Sequence, residues 1–240
     1  TGWRQDLDEL VNKCHQRGIL LCVDGIQGAG VIPLDLSQTP VDFLAADGHK
    51  WLLGPEGAGL LFIRREHLDR LRPIGVGWHS LRSAGNFQRS AFDFPAEQQS
   101  DARSFRTVLP LPLHELKPSA ARFEGGSANI GGILALGASL ELLQSFGIPN
   151  VWQRLQEVTQ KIRELVQSLG GRVISCDAAE RRSGIVACEF PGRSTERLRE
   201  RAMPHGVVLN LRGGFVRLSP HAYTNDDDLD RLRRVLADLL

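Results

Sequence analysis

Cysteine is scarce in this sequence: Cys14, Cys22, Cys176 and Cys188 are the only four in 240 residues. They have neither the close pairing of a zinc site nor the density of a secreted disulfide scaffold. A stapled fold is thereby excluded, and a reducing, cytoplasmic compartment is expected. An excess of one charge is also lacking. A net charge of +1 with 24% charged residues offers no field that favours nucleic acid or an acidic membrane surface. No apolar run approaches the length needed to cross a bilayer, and the opening TGWRQDLDEL lacks the basic-then-apolar pattern of a signal peptide. Lysine is scarce as well, with only Lys13, Lys50, Lys117 and Lys161 among 29 basic residues. A lysine in an unusual setting therefore carries weight. What is present is a chain 42% hydrophobic, long enough for one or two cores, whose expected partners are small molecules.

Residues 4–17 carry Leu7, Leu10, Val11 and Cys14 at the spacing of an amphipathic helix, which Gly18 ends. Ile19 to Val23 is apolar throughout and too short for a helix, so it predicts a strand buried on both faces. Val41 to Ala46 and Gly59 to Ile63 repeat the pattern, and the order of elements predicts an open α/β sheet. From Pro73 to Phe123 no period is sustained, as in a functional or mobile loop. A helix is predicted from Ile130 to Phe146, stopped by Gly147, Ile148 and Pro149. A domain boundary is placed there, dividing the chain into 1–147 and 148–240. The second part predicts a helix (Val151 to Leu169), strands (Arg172 to Ser175 and Gly184 to Phe190), a helix (Thr195 to Pro204), two short strands and a closing helix (Asp226 to Leu240). Such a unit is small and α+β.

Two residues stand out chemically. Asp24 directly follows the first strand, at the carboxyl end where ligands bind in open α/β sheets. Lys50 follows the second, in DGHKWLLGPEG, where Trp51, Leu52 and Leu53 suggest an apolar setting instead of a solvated face. An isolated Asp is more often a loop cap, and an isolated Lys more often a surface ion pair. As a pair they suit pyridoxal 5'-phosphate (PLP): an amine for the cofactor aldehyde, its pKa lowered by apolar surroundings, and an acid for the pyridine nitrogen.

The segments VDGIQGAG and ADGHKWLLGPEGAGLL closely resemble the cofactor site of the class V aminotransferase and cysteine desulfurase superfamily of PLP enzymes, which includes kynureninases and isopenicillin-epimerase-like proteins. The resemblance extends over nearly the whole chain. It implies a fold type I PLP-transferase architecture, with part of a large mixed-sheet domain followed by a small carboxyl-terminal domain. It implies that Asp24 pairs with the pyridine nitrogen, Gln27 donates to the ring's 3-oxygen, Lys50 is the Schiff-base lysine, and His49 lies near the phosphate. FEGGSANIGGILALGASLELL resembles the segment whose Ser or Thr reaches the phosphate of the other subunit in a homodimer, which implicates Ser127 and secondarily Asn129, although Ser127 as a helix cap is an equal alternative. Trp78 resembles a residue near the partner's phosphate in kynureninase-like members; core or interface packing is its alternative. GGFVRLSPHAYTNDDDLDRL resembles the carboxyl-terminal motif in which arginine binds the substrate carboxylate. That role falls on Arg217, with Arg212 as the weaker choice.

The sequence also departs from the pattern. Asp47 stands where many relatives carry Ser or Thr against the phosphate, and a carboxylate there repels it unless turned away. No cysteine lies between His205 and Arg217, where a desulfurase keeps its sulfur acceptor. The family's preceding segment, with its phosphate cradle and stacking aromatic, has no counterpart before Thr1. The chain is therefore expected to be a fragment that binds PLP loosely alone and self-associates. The expected activity is transamination, lyase or epimerase chemistry on an amino acid, with desulfurase-like activity or a non-catalytic binding module as alternatives. A dinucleotide site at Gly25, Gly28 and Gly30 is disfavoured, because the G-x-G-x-x-G spacing is reversed and no helix follows.

Overall fold

The computed structural model describes residues 2–82 and 116–240, and backbone only at Trp78. Residues 83–115 of the aperiodic stretch lie outside the described residues. Its two described shoulders are joined by a bridge between Leu81 and Leu116 and by the Lys117 N–H donating to the Ser80 carbonyl at 2.9 Å.

Helix α1 (Leu7–His15) is capped by Asp6, whose carboxylate accepts the Glu9 N–H at 2.9 Å, and ends before Gly18 at φ +67°. Strands β1 (Cys22–Asp24), β2 (Phe43–Asp47) and β3 (Gly59–Ile63) form a mixed sheet in that order. β1 runs parallel to β2, with Asp24 opposite Ala45, and β3 runs antiparallel to β2. The expected burial of the first strand is overturned. Among the described residues β1 pairs only with β2, and Cys22, Asp24, Ile19 and Leu20 are exposed. An apolar run announces that a strand can be covered, but which layer covers it is not a local property.

Helix α2 (Ile130–Phe146) follows the boundaries that its sequence predicts, with Gly147 at φ +78° as its stop. Ile148 and Pro149 do not prolong the stop. They open α3 (Ile148–Ser168), where proline's missing N–H costs nothing in the first turn, and the chain bends by 80° between the two helices. Strands β4 (Arg172–Val173), β5 (Val186–Glu189), β6 (Asn210–Arg212) and β7 (Phe215–Leu218) make an antiparallel sheet ordered β4-β5-β7-β6. Helices α4 (Thr195–Ala202) and α5 (Asp226–Leu239) accompany it, and a capping box between Asn225 and Asp228 starts α5.

Helix α3 enters two cores. Leu155 and Val151 pack with Val31, Trp51, Leu52 and Leu136, whereas Val158, Ile162 and Val166 pack with the small sheet and α5. Among the described residues no single helix is long and apolar enough to cross a membrane.

Candidate active site

Because β1 and β2 are parallel, their carboxyl ends emerge on one rim of the sheet. β1 delivers Asp24 there. Its Oδ1 accepts the Ile26 N–H at 3.0 Å, and the Gly25 N–H donates to the Ala45 carbonyl at 2.7 Å. The turn that follows brings Gln27 against the loop after β2, where its Oε1 accepts the Trp51 indole N–H at 2.9 Å. An indole N–H can only donate, so the amide oxygen must face it and the amide NH2 is left to donate elsewhere.

The loop after β2 is a closed turn. The Gly48 N–H donates to the Ala58 carbonyl at 2.7 Å, the Gly54 N–H to the Gly48 carbonyl at 2.8 Å, and the Leu53 N–H to the Lys50 carbonyl at 3.0 Å. Leu53 takes φ +58°, a left-handed conformation unfavourable to a side chain, and Ser139 of α2 donates to its carbonyl at 2.9 Å. Gly54 leaves room for Leu136, since a Cβ there would lie 2.6 Å from Leu136 Cδ1. The turn is thus fastened to α2.

Within it, Trp51 and Leu52 are buried at 6% and 4% exposure, but Lys50 and His49 face outward. The expectation that apolar neighbours enclose Lys50 is corrected: in a tight turn successive side chains diverge, so they underlie the lysine without surrounding it. His49 Nδ1 lies 2.9 Å from Asp47 Oδ1, and this bond is the chief reason that the Asp47 carboxyl falls below its ordinary range. The Asp47 charge is therefore directed at His49.

Ser127 is exposed just before α2, and it is not the helix cap. Asn129 takes that role, accepting the Gly132 N–H at 3.0 Å and donating to the Gly57 carbonyl at 3.3 Å. Trp78 opens a 3-10 turn with Ser80 at its end; its side chain lies outside what the structure describes. Arg217 sits on β7 opposite Ala187 and Asn210. Among the described residues its buried Nε has no hydrogen-bond partner and its guanidinium forms no ion pair. It borders a shallow apolar depression of about 180 Å³ together with Ile162, Leu209 and Leu232. Arg212 is exposed and donates to the Leu211 carbonyl at 3.3 Å. Cys188 lies inside β5, where burial pushes its thiol up to about 12, far from a nucleophile's range.

His221 had no assigned role in the sequence, although it lies in the same motif as Arg217. Its Nε2 is 3.2 Å from the Trp51 carbonyl, and its ring stacks on Trp51 and Tyr223 at centroid distances of 5.7 Å and 4.9 Å. No periodicity marks a contact between residues 170 positions apart.

The architecture is that of the fold type I PLP-dependent enzymes. An apo cysteine desulfurase from Thermococcus onnurineus NA1 matches it with a TM-score of 0.80 at 22% identity, over 99% of this chain and 56% of that one. A variant of C-DES, solved with glycine covalently linked to its PLP cofactor, matches with a TM-score of 0.79 at 24% identity, over 99% of this chain and 57% of that one. The family model for aminotransferase class-V matches residues 1–232, and the chain belongs to that family. Isopenicillin N epimerase of Streptomyces clavuligerus is 31% identical over 243 residues, which cover 98% of this chain and 56% of the epimerase. The chain spans about half the length of the curated relatives it matches.

Proposed function

We propose that this chain carries the lysine-bearing part of a PLP-dependent enzyme that acts on an amino acid by transamination, lyase or epimerase chemistry. One observation carries the reading: the shared carboxyl rim of β1 and β2 brings out a carboxylate, an amide with its donor group freed by Trp51, and an amine, at Asp24, Gln27 and Lys50. These donors and acceptors fit a pyridine ring that has a basic nitrogen, a 3-oxygen and an aldehyde. When bound, PLP supplies an electron sink that stabilises negative charge at the α-carbon of an amino acid. Asp24 holds the proton on the ring nitrogen, and Gln27 donates to the 3-oxygen. Lys50 attaches the cofactor and exchanges a proton at the α-carbon. His49 and, across a homodimer interface, Ser127 and Trp78 serve the phosphate. The division into domains falls between residues 147 and 148, at the bend between α2 and α3. Desulfurase chemistry through a persulfide is disfavoured by the buried Cys188 and by the lack of a cysteine between His205 and Arg217. Borohydride treatment of the PLP-loaded protein followed by peptide mass analysis should place a pyridoxyl group on Lys50; a label on Lys13, Lys117 or Lys161 would overturn the assignment.

Arg217 is assigned to the substrate carboxylate, and its unpartnered buried Nε supports this, because a structural arginine at that depth would be expected to have a partner. Arg217→Ala should weaken binding of amino acids by roughly 10- to 100-fold, the range of a lost charge-assisted hydrogen bond, while sparing amines that lack the carboxylate. Equal losses for both ligand types would remove the assignment. Thermal stability should hold or rise slightly, since an unsatisfied buried donor disappears.

Asp47 is the feature least suited to a phosphate neighbour. Asp47→Ser, which removes the charge but also the partner of His49, should tighten PLP binding several-fold in a spectroscopic titration. Weaker binding would mean that Asp47 serves the site through His49.

A further inference from the structure

We propose that His221 is a positioning residue which, only while its ring is neutral, fastens the strand of Arg217 to the turn of Lys50. The proposal rests on the reading of those two residues as the carboxylate and cofactor ends of one pocket. Its basis is the hydrogen-bond chemistry of the imidazole. The Ala222 backbone N–H donates to His221 Nδ1 at 2.8 Å, so that nitrogen must present a lone pair. A neutral imidazole with Nδ1 bare carries its proton on Nε2. Nε2 faces the Trp51 carbonyl at 3.2 Å, a group that can only accept. Donors and acceptors on both sides therefore fix one tautomer.

A second proton has no room in this arrangement. It would set an N–H at Nδ1 against the N–H of Ala222 and break that bond. The ring is 7% exposed, and burial pushes its pKa below the ordinary value, an effect that the Trp51 carbonyl only partly offsets. The charged groups nearby are basic: Lys50 adjoins Trp51, and Arg154 of α3 donates to the Thr224 carbonyl at 3.1 Å. The faces of Trp51 and Tyr223, stacked on the ring, attract a cation and act against this, so the clash at Nδ1 and the burial are what hold the ring neutral. Among the described residues no carboxylate is hydrogen-bonded to the ring.

Trp51 transmits the effect. Its carbonyl is held by His221 and its indole N–H by Gln27, so one residue links the carboxyl-terminal motif to the amide at the sheet rim. Gly184 leaves room for this ring, since a Cβ there would come within 2.8 Å of Trp51 Cη2. Protonating His221 leaves Nε2 a donor but sets Nδ1–H against the Ala222 N–H; relief of that clash turns the ring, and the turn carries Nε2 off the Trp51 carbonyl, so that both the Gln27 amide and the spacing between Arg217 and Lys50 lose their anchor. The fastening is complete above the ordinary histidine value and weakens as pH falls below it.

The test follows the Trp51 indole N–H signal of the 240-residue chain by NMR across pH, assigned with Trp51→Phe, alongside the ring nitrogens of His221. The unaltered chain should show the Nε2-protonated tautomer near neutral pH and a His221 midpoint below 6.5, with the indole signal moving at the same midpoint. His221→Gln, whose amide can still donate to the Trp51 carbonyl, should abolish the movement. His221→Phe, which keeps a ring without a donor, should hold the signal in its acid position at every pH and weaken amino-acid binding about fivefold, as for one lost neutral hydrogen bond. An indole signal that does not move in the unaltered chain, or that moves equally in His221→Gln, would overturn the proposal. Neither NMR outcome needs cofactor, so failure here is separate from failure of the PLP reading, which the borohydride label on Lys50 reports.

Discussion

Lys50→Ala is expected to end covalent attachment of PLP and to lower amino-acid turnover by at least about 10³-fold, within the range by which a positioned acid–base group accelerates a reaction. Two of the other lysines are poor substitutes. Lys13 is engaged with Glu9, and Lys161 lies 2.7 Å from Asp226, whereas Lys50 has no ion pair among the described residues. Because Lys50 is exposed, its removal should change stability by no more than about 0.5 kcal/mol, so activity and melting temperature should separate. Lys50→Arg should fail equally, since it keeps the positive charge but has no amine to bond the aldehyde. Absorbance of the PLP-loaded variants, borohydride labelling and thermal unfolding on the same samples would decide the matter. A pyridoxyl group recovered from Lys50→Ala, or turnover near that of the unaltered chain, would end the assignment.

The largest effect on stability is expected at the amino end of β2, away from the candidate site. Asp42 is 3% exposed and accepts from the Leu21 N–H at 2.7 Å, while His15 Nε2 and His67 Nε2 lie 2.9 Å and 2.6 Å from its two oxygens. It ties α1, β1, β2 and the 3-10 turn of Arg65–His67 together. Burial alone would raise its pKa; the Leu21 N–H and the two imidazoles overcome this and hold it at about 2. Asp42→Ala strands the Leu21 N–H and the buried His67, whose Nδ1 already lacks a partner among the described residues, and should cost about 3 kcal/mol. In thermal unfolding that amounts to a drop of roughly 10 °C. The pH dependence has a definite sign. A carboxyl whose pKa is depressed on folding adds stability that is present above 3.8 and lost as pH falls toward about 2. The amount at stake is about 2 kcal/mol. Asp42→Asn should flatten this part of the acid limb; an unchanged acid limb would show that the carboxylate is not the group responsible.

The stops of α1 and α2 were legible in the sequence because their causes are local, whereas the start of α3 at Ile148, read as part of a stop, was not. Gly18 and Gly147 sit where only a left-handed backbone ends the helix comfortably, and apolar spacing in α1 and α3 states which face is buried. The motifs around Asp24, Lys50 and Arg217 were equally legible as a set. Only the tertiary structure decided the rest. The exposure of Lys50 depends on how a seven-residue turn from Gly48 to Gly54 folds over Leu136, and a run of apolar neighbours cannot report the direction of each side chain. The clasp of Asp42 by two histidines and the contact of His221 with Trp51 join residues 25 to 170 positions apart. Such contacts leave no periodic trace, because what brings them together is the packing of whole elements against one another and not the conformational preference of any one segment.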